Sequence, residues 1–339
     1  MTRKHHLLDE DDVRVRPGRG KSRPRSKERP EHAEALSGTV MTVDRGRFTV
    51  ELDDGTDMYA IKARELGRKG IVVGDRVDIV GDVSGDTDTQ GRIVRRQERT
   101  STLRRTADDT DPVERVVVAN ATKLAVVTAT IHPEPRTGLI DRAVVAALDA
   151  GIEPLLILTK TDLKPADELL ALYGPLDLPL FMITGKRVPD ELRAALEGEA
   201  TVLVGHSGVG KSTLVNNLIP SAERTIGRVN TVTGRGRHTS TSVVALHLPT
   251  GGIIIDTPGI RSFGLAHVDV GRVIQAFPDL GALTEGCPRA CSHDEPDCAL
   301  SNLDDLDADI DRTNLATRID SLRRLIRSRS APAEDESAF

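Results

Sequence analysis

Residues Gly205–Thr213 read G-H-S-G-V-G-K-S-T, directly after the apolar run Ala200-Thr201-Val202-Leu203-Val204 and ahead of the helical pattern Ser212 to Leu218. A β-rich run, a glycine loop and a helix in that order form the context that a phosphate-binding P-loop requires. Gly205, Gly208 and Gly210 let successive backbone N–H groups turn inward around phosphate oxygens, and the positive end of the following helix faces the same charge. Lys211 is placed to reach the β- and γ-phosphates, and Ser212 to hold Mg²⁺. His206, Ser207, Val209 and Thr213 complete the loop, His206 through its amide. A plain glycine turn would account for the loop but not for Lys211-Ser212 at the required spacing.

Two further strand ends carry matching chemistry. Ile253-Ile254-Ile255 runs into Asp256-Thr257-Pro258-Gly259, a D-x-x-G that offers a Mg²⁺-side carboxylate in Asp256 and a γ-phosphate-sensing amide in Gly259. Leu155-Leu156-Ile157-Leu158 runs into Thr159-Lys160-Thr161-Asp162, a form of the [NT]-K-x-D guanine reader. The Asp162 carboxylate can accept from guanine N1 and N2, and adenine has no such donor pair. In ordinary small GTPases the P-loop precedes the base reader. Here residues 159–162 precede residue 205, so the order is circularly permuted. Ile183-Thr184-Gly185-Lys186 falls where a second guanine-side loop belongs. Gly234-Arg235-Gly236-Arg237-His238-Thr239-Ser240-Thr241 falls where the first switch supplies a threonine to Mg²⁺, with Thr239 as the candidate.

With these motifs in this order, the chain resembles the ribosome small-subunit-dependent GTPase A family over about Leu36 to Leu300. The resemblance implies a circularly permuted α/β P-loop GTPase domain, flanked by an N-terminal OB-fold β-barrel and a C-terminal zinc-binding, largely helical domain. It also implies binding to the 30S ribosomal subunit and 16S rRNA, and GTP hydrolysis to GDP and phosphate that the 30S subunit stimulates during late maturation. His238 takes a catalytic role only by this resemblance. In the position after Gly259, where many GTPases carry a water-orienting Gln, this chain has Ile260. An aliphatic side chain cannot orient water.

The rest of the chain fits this frame. Its 339 residues suffice for two or three domains. No apolar run approaches the ~18 residues of a membrane helix, and His5-His6-Leu7-Leu8 is too short for a signal peptide, so a soluble cytoplasmic protein is expected, and nothing in the sequence suggests more than a monomer. Between residues 14 and 29 the charge is +7, from eight Lys and Arg against Glu28, while the whole chain is −6. Such a basic arm, expected to be disordered over 1–35, neutralises phosphates by counterion release. Aromatics are 2% of residues and Trp is absent, which argues against base stacking as the main RNA contact.

Phe48-Val50-Leu52 and Tyr59-Ile61-Ala63 alternate across Asp53-Asp54-Gly55, a hairpin signal. With short strands near Gly38, Val77 and Gly91 they predict a small barrel over 36–105, an OB-fold, with Lys62, Arg64, Arg68 and Lys69 on its loops and Arg95, Arg96, Arg99, Arg104 and Arg105 at its exit. Val116–Asn120 and Leu124–Val127 read as two buried strands opening a GTPase domain over 112–266, and Leu139–Leu148 as a helix. The three cysteines all lie in Cys287-x3-Cys291-x-His293-x4-Cys298, a closed Cys3His set suited to one structural zinc, in a domain over 267–330. Leu303 to Arg327 reads as a helix, acidic at its start and basic at its end, and 331–339 as a disordered tail. Three other functions stay open on sequence: a P-loop ATPase or kinase, a nucleotide-binding RNA protein without turnover, and a regulatory GTPase for another partner.

Overall fold

The computed structural model describes residues 32–44, 46–66, 70–86, 89–105, 115–220, 243–257, 263, 265, 268–303 and 311–329. Residues 1–31 of the basic arm, the C-terminal tail, the first switch with His238 and Thr239, and Gly259 lie outside the described residues. The elements below all fall in one unit, Glu34–Phe339.

Five strands make the N-terminal barrel: β1 (Leu36–Asp44), β2 (Arg47–Leu52), β3 (Asp57–Lys62), β4 (Arg76–Gly81) and β5 (Gly91–Arg96). Period-two patterning decides which side chains point in, so Phe48, Val50 and Leu52 of β2 and Met58 and Ala60 of β3 are buried. Strand order is β1-β2-β3-β5-β4, and β4 returns to pair with β1. With β3 and β5 parallel, this is the closed five-stranded barrel expected from the spacing.

Asp75 is the polar anchor of the barrel. It is fully buried, accepts two bonds from Arg99, at 2.6 and 2.8 Å, and a third from the Val72 amide. Removing one partner of a buried pair leaves the other charge uncompensated. Asp75→Ala is therefore expected to cost about 3 kcal/mol in urea unfolding, whereas breaking the exposed Arg76–Asp53 pair costs about 1 kcal/mol or less.

After the barrel, β6 (Thr102–Arg105) and β7 (Arg115–Ala119) form their own two-stranded sheet. This corrects the expectation that Val116–Asn120 is a buried strand of the GTPase sheet. Val116 and Val117 are only half-buried, and the ladder partners of β7 are in β6. Apolar content marked a strand there but carried no information on its neighbour.

The large sheet then runs β8 (Lys123–Ala129), β9 (Glu153–Thr159), β10 (Leu180–Met182), β11 (Ala200–Val204), β12 (Val244–His247) and β13 (Ile253–Asp256). Their spatial order is β10-β9-β8-β11-β13-β12, parallel except for β12. Leu155 to Leu158 are all fully buried, as expected for a strand covered on both faces. Helix α1 (Thr137–Asp149) and α2 (Asp167–Tyr173) cover one face, and α3 (Asp190–Leu196) and α4 (Lys211–Leu218) cover the other. A Thr42–Val244 pairing joins β12 to β1, so the sheet continues into the barrel.

Beyond the sheet come α5 (Val270–Gln275), α6 (Pro278–Ala282) and α7 (Arg312–Ser328). The last helix buries Ile319, Leu322, Leu325 and Ile326 in the core shared with α1. It starts later than the expected Leu303. The Asp311 side chain accepts from the Thr313 and Asn314 amides and caps it there. Among the described residues, no helix is long and apolar enough to cross a membrane.

Candidate nucleotide and metal sites

Parallel pairing decides where the motifs meet. Strands β9, β8, β11 and β13 run side by side in one direction, so the residues at their C-terminal ends, Thr159, Ala129, Val204 and Asp256, lie along one edge. Open α/β sheets bind their ligands at this edge.

The P-loop leaves β11 at Gly205, whose φ is +148° and whose Cβ, if present, would lie 2.2 Å from the Val127 carbonyl oxygen. A side chain there would push the loop off the sheet. At Gly210, φ of +101° turns the chain into α4. Lys211 opens that helix and its Nζ donates to the Gly205 and His206 carbonyls. The ammonium thus curls over its own loop, where phosphate oxygens would replace the two carbonyls. Ser212 and Thr213 are exposed in the first turn of the helix, Ser207 and Gly208 are exposed at the tip, and Val209 is buried beneath it. His206 faces its own loop, with Nδ1 2.9 Å from the Ser207 carbonyl.

The base-reading segment touches this loop directly. Thr159 Oγ1 donates to the Val209 carbonyl at 2.6 Å, and Lys160, at φ +59°, extends its Nζ to the His132 carbonyl. Asp162 is exposed, and its Oδ1 accepts from the Gly185 amide at 2.8 Å. Thr161 Oγ1 reaches the Ile183 carbonyl and the Thr184 hydroxyl, at 3.1 and 3.0 Å. The T-G-K loop thereby holds the carboxylate from behind and leaves its other lone pairs free to accept. Thr130, which sequence reasoning passed over, steadies the reader through Oγ1 to the Lys160 carbonyl at 2.9 Å. Its only signal was its position just past an apolar strand.

Asp256 ends β13 beside Lys211. Among the described residues its buried Oδ1 has no hydrogen-bond partner, and burial raises its pKa against the opposing pull of Lys211. A buried carboxylate oxygen with no donor among the described residues suits a hard cation. The sign of the pH effect follows. A raised folded-state pKa means that the cost of charging Asp256 is absent below the unfolded carboxylate value and complete once pH exceeds the folded one. Above the folded value the nucleotide-free protein carries that cost. Asp256→Asn is expected to raise its Tm by about 2–4 °C, and the gain should shrink in scans taken at acid pH.

The four metal-ligand candidates converge. The ligand atoms of Cys287, Cys291, His293 and Cys298 all lie within 4.8 Å of one another. Cys287 Sγ is 3.7 Å from Cys298 Sγ and 3.6 Å from His293 Nδ1. Zinc bonds of about 2.3 Å to sulfur and about 2.0 Å to nitrogen imply tetrahedral edges of about 3.5–3.8 Å, so the donor set fits such an ion. Burial lowers the His293 pKa and keeps the imidazole neutral, the form that ligates. Glu295, missed in the sequence, accepts from the Ser292 and Asp294 amides and lies 3.3 Å from Cys291 Sγ. These bonds hold its pKa down at about 2 and shape the loop between the ligands.

The family model described as RsgA GTPase matches residues 96–266. A relative from Pseudomonas syringae pv. tomato, named small ribosomal subunit biogenesis GTPase RsgA, is 39% identical over 276 residues, which cover 78% of each chain. A relative of the same name from Pseudomonas aeruginosa strain LESB58 is 46% identical over 194 residues. That match spans 54% of this chain and 57% of the relative's length. Among solved structures, YjeQ from Thermotoga maritima matches with TM-score 0.61 at 24% identity, covering 86% of this chain and 99% of that one. YloQ, described as a circularly permuted GTPase, matches with TM-score 0.59 at 22% identity, over 91% of this chain and 100% of that one. These two likenesses concern the fold. A family match over half the chain and a relative aligned along most of its length point the same way: the chain belongs to the RsgA GTPase family.

Proposed function

We propose that this protein hydrolyses GTP to GDP and phosphate, and that it binds the 30S ribosomal subunit through 16S rRNA and acts late in its maturation. The observation that carries the reading is the contact of the base reader with the phosphate loop, Thr159 Oγ1 on the Val209 carbonyl, with Asp162 and Lys211 on one sheet edge. In this reading Thr159 to Asp162 take the guanine, residues 205–213 take the phosphates, and Ser212, Thr239 and Asp256 serve Mg²⁺. Gly259 senses the γ-phosphate. With Ile260 unable to orient water, His238 polarises it, and intrinsic turnover is slow until the 30S subunit arranges the switches.

The reading includes a basic arm over 1–35, an RNA-binding barrel over 36–105, a GTPase domain over 112–266 and a metal-binding helical domain over 267–330, with a tail over 331–339. The protein works as a cytoplasmic monomer. Titration with GTP and ATP, followed by phosphate release with and without purified 30S subunits, tests it. GTP preference together with release that rises on adding 30S subunits supports the proposal. ATP preference would make it a P-loop ATPase, and GTP binding without release would leave a nucleotide-binding RNA protein. Pull-down of 30S particles with a non-hydrolysable GTP analogue tests the partner.

The Cys3His set is assigned to one structural zinc, since four filled positions leave none for water. Metal analysis of the purified chain is expected to return one zinc per chain. Chelation is expected to remove it and to loosen the 287–298 loop in proteolysis. A stoichiometry near zero, or iron in its place, would refute the assignment.

A further inference from the structure

We propose that Thr130 is a specificity-determining positioning residue, an assignment that rests on the guanine reading above and deepens it. From just past β8 it sets the angle at which the turn carrying Asp162 meets the base, and so decides how sharply guanine is preferred.

Asp162 sits inside a four-residue turn over 160–163, closed by the Leu163 amide on the Lys160 carbonyl at 2.9 Å. The Thr130 hydroxyl donates to that same carbonyl, also at 2.9 Å. A carbonyl oxygen has two lone pairs, and here one closes the turn while the other tethers it to the neighbouring strand end. Thr130 is 2% exposed, and its amide donates to the Thr159 carbonyl at 3.0 Å, one residue before the turn begins. Two bonds from one buried residue thus hold the turn at its root.

The backbone shows why such a hold is needed. Lys160 has φ of +59° and His132 has φ of +48°. Neither is glycine, and side-chain-bearing residues stay in the left-handed region only where their surroundings over-determine it. The two strained residues are joined, since Lys160 Nζ donates to the His132 carbonyl. At its far end the same segment lies against the phosphate loop, where a Cβ on Gly208 would stand 3.7 Å from Pro133 Cδ. Residues 130–133 therefore touch both the base reader and the tip of the P-loop.

Two separate restraints act on the carboxylate. The Gly185 amide fixes its rotation through Oδ1, at 2.8 Å, and Thr130 fixes the tilt of the main chain beneath it. A hydrogen bond weakens steeply once it is misaligned. Guanine offers two donors to Asp162, N1–H and N2–H, whereas hypoxanthine lacks the amino group and offers one. A tilted turn therefore costs the two-bond match more than the one-bond match, and the preference between the bases falls.

The test is calorimetric titration of the full chain with GDP, IDP and ADP, alongside Tm and GTP turnover. Thr130→Val puts a methyl where the hydroxyl was. It is expected to weaken GDP binding about tenfold, the loss of one buried hydrogen bond, and to lower the GDP-over-IDP ratio several-fold. Because the phosphate loop is untouched, kcat at saturating GTP should stay within about twofold. Thr130→Ser keeps the donor and should restore both the affinity and the ratio. A residue that only fills the core would lower Tm and leave the ratio as it was. An unchanged ratio in Thr130→Val, an equal fall in Thr130→Ser, or a parallel collapse of kcat overturns the proposal. Thr130→Ala stands in should the valine variant not fold, and failure of both to fold assigns Thr130 to the core and also overturns it. An unmodified chain with no preference for GDP over IDP and ADP defeats the guanine reading, and this inference with it. A preference that survives Thr130→Val defeats this inference alone.

Discussion

Asp162→Asn is expected to weaken GTP binding by about three orders of magnitude and to raise affinity for xanthosine triphosphate. The Asp162 carboxylate is held from behind by the Gly185 amide, so its remaining lone pairs face outward at a fixed angle. Guanine offers N1–H and N2–H to that pair. An Asn at the same place would set an N–H against a donor, and a site built to accept discriminates by about 10⁴–10⁵ when its partner group is missing. Xanthine replaces the amino group with a carbonyl and restores the match. Competition binding of the two nucleotides measures the exchange of preference. Equal loss of both would mean that Asp162 does not read the base.

Lys211→Met is expected to lower kcat by about 10²–10³ while the fold is retained. The ammonium is poised over the Gly205 and His206 carbonyls and is the cation at the head of α4. Charge grows on the phosphoryl oxygens in the transition state, and a fixed cation there stabilises it more than the ground state. Methionine keeps the stem length, so unfolding by heat should change little. Single-turnover phosphate release in 30S-stimulated conditions separates this chemical loss from any loss of affinity. An unaltered rate would place the phosphates elsewhere.

The legible part of this chain was the part where one short motif follows one buried strand. Thr159–Asp162, Gly205–Thr213 and Asp256 each end an apolar run, and parallel pairing brings those ends to one edge. The candidate metal-ligand set was legible because four donors fall within one short loop. What escaped was anything that depends on a neighbour distant in sequence. Val116–Val118 looked like a sheet strand, and nothing in its pattern told β6 from β8 as its partner. The start of α7 was placed too early because acidic residues before Asp311 mimic a helix start, while the cap itself needs the Thr313 and Asn314 amides turned toward it. Asp141 and Arg142 were read only as part of a helical motif. A charged pair amid the apolar stretch Leu139–Leu148 was the available signal, and their use is set by chain 121 and 186 residues further on.

The interleaved strand order governs how the molecule can be assembled as it is synthesised. Strand β8 meets β9 early, but its other flank stays bare until β11 is made, 78 positions later by the Lys123–Thr201 pairing. Chain growth proceeds at about 5–20 residues per second, so an apolar, unpaired edge persists for seconds on every nascent copy. No triphosphate can shelter it in that interval, because Lys211 and Asp256 are still unmade. Barrel strand β1 waits longer still for Val244.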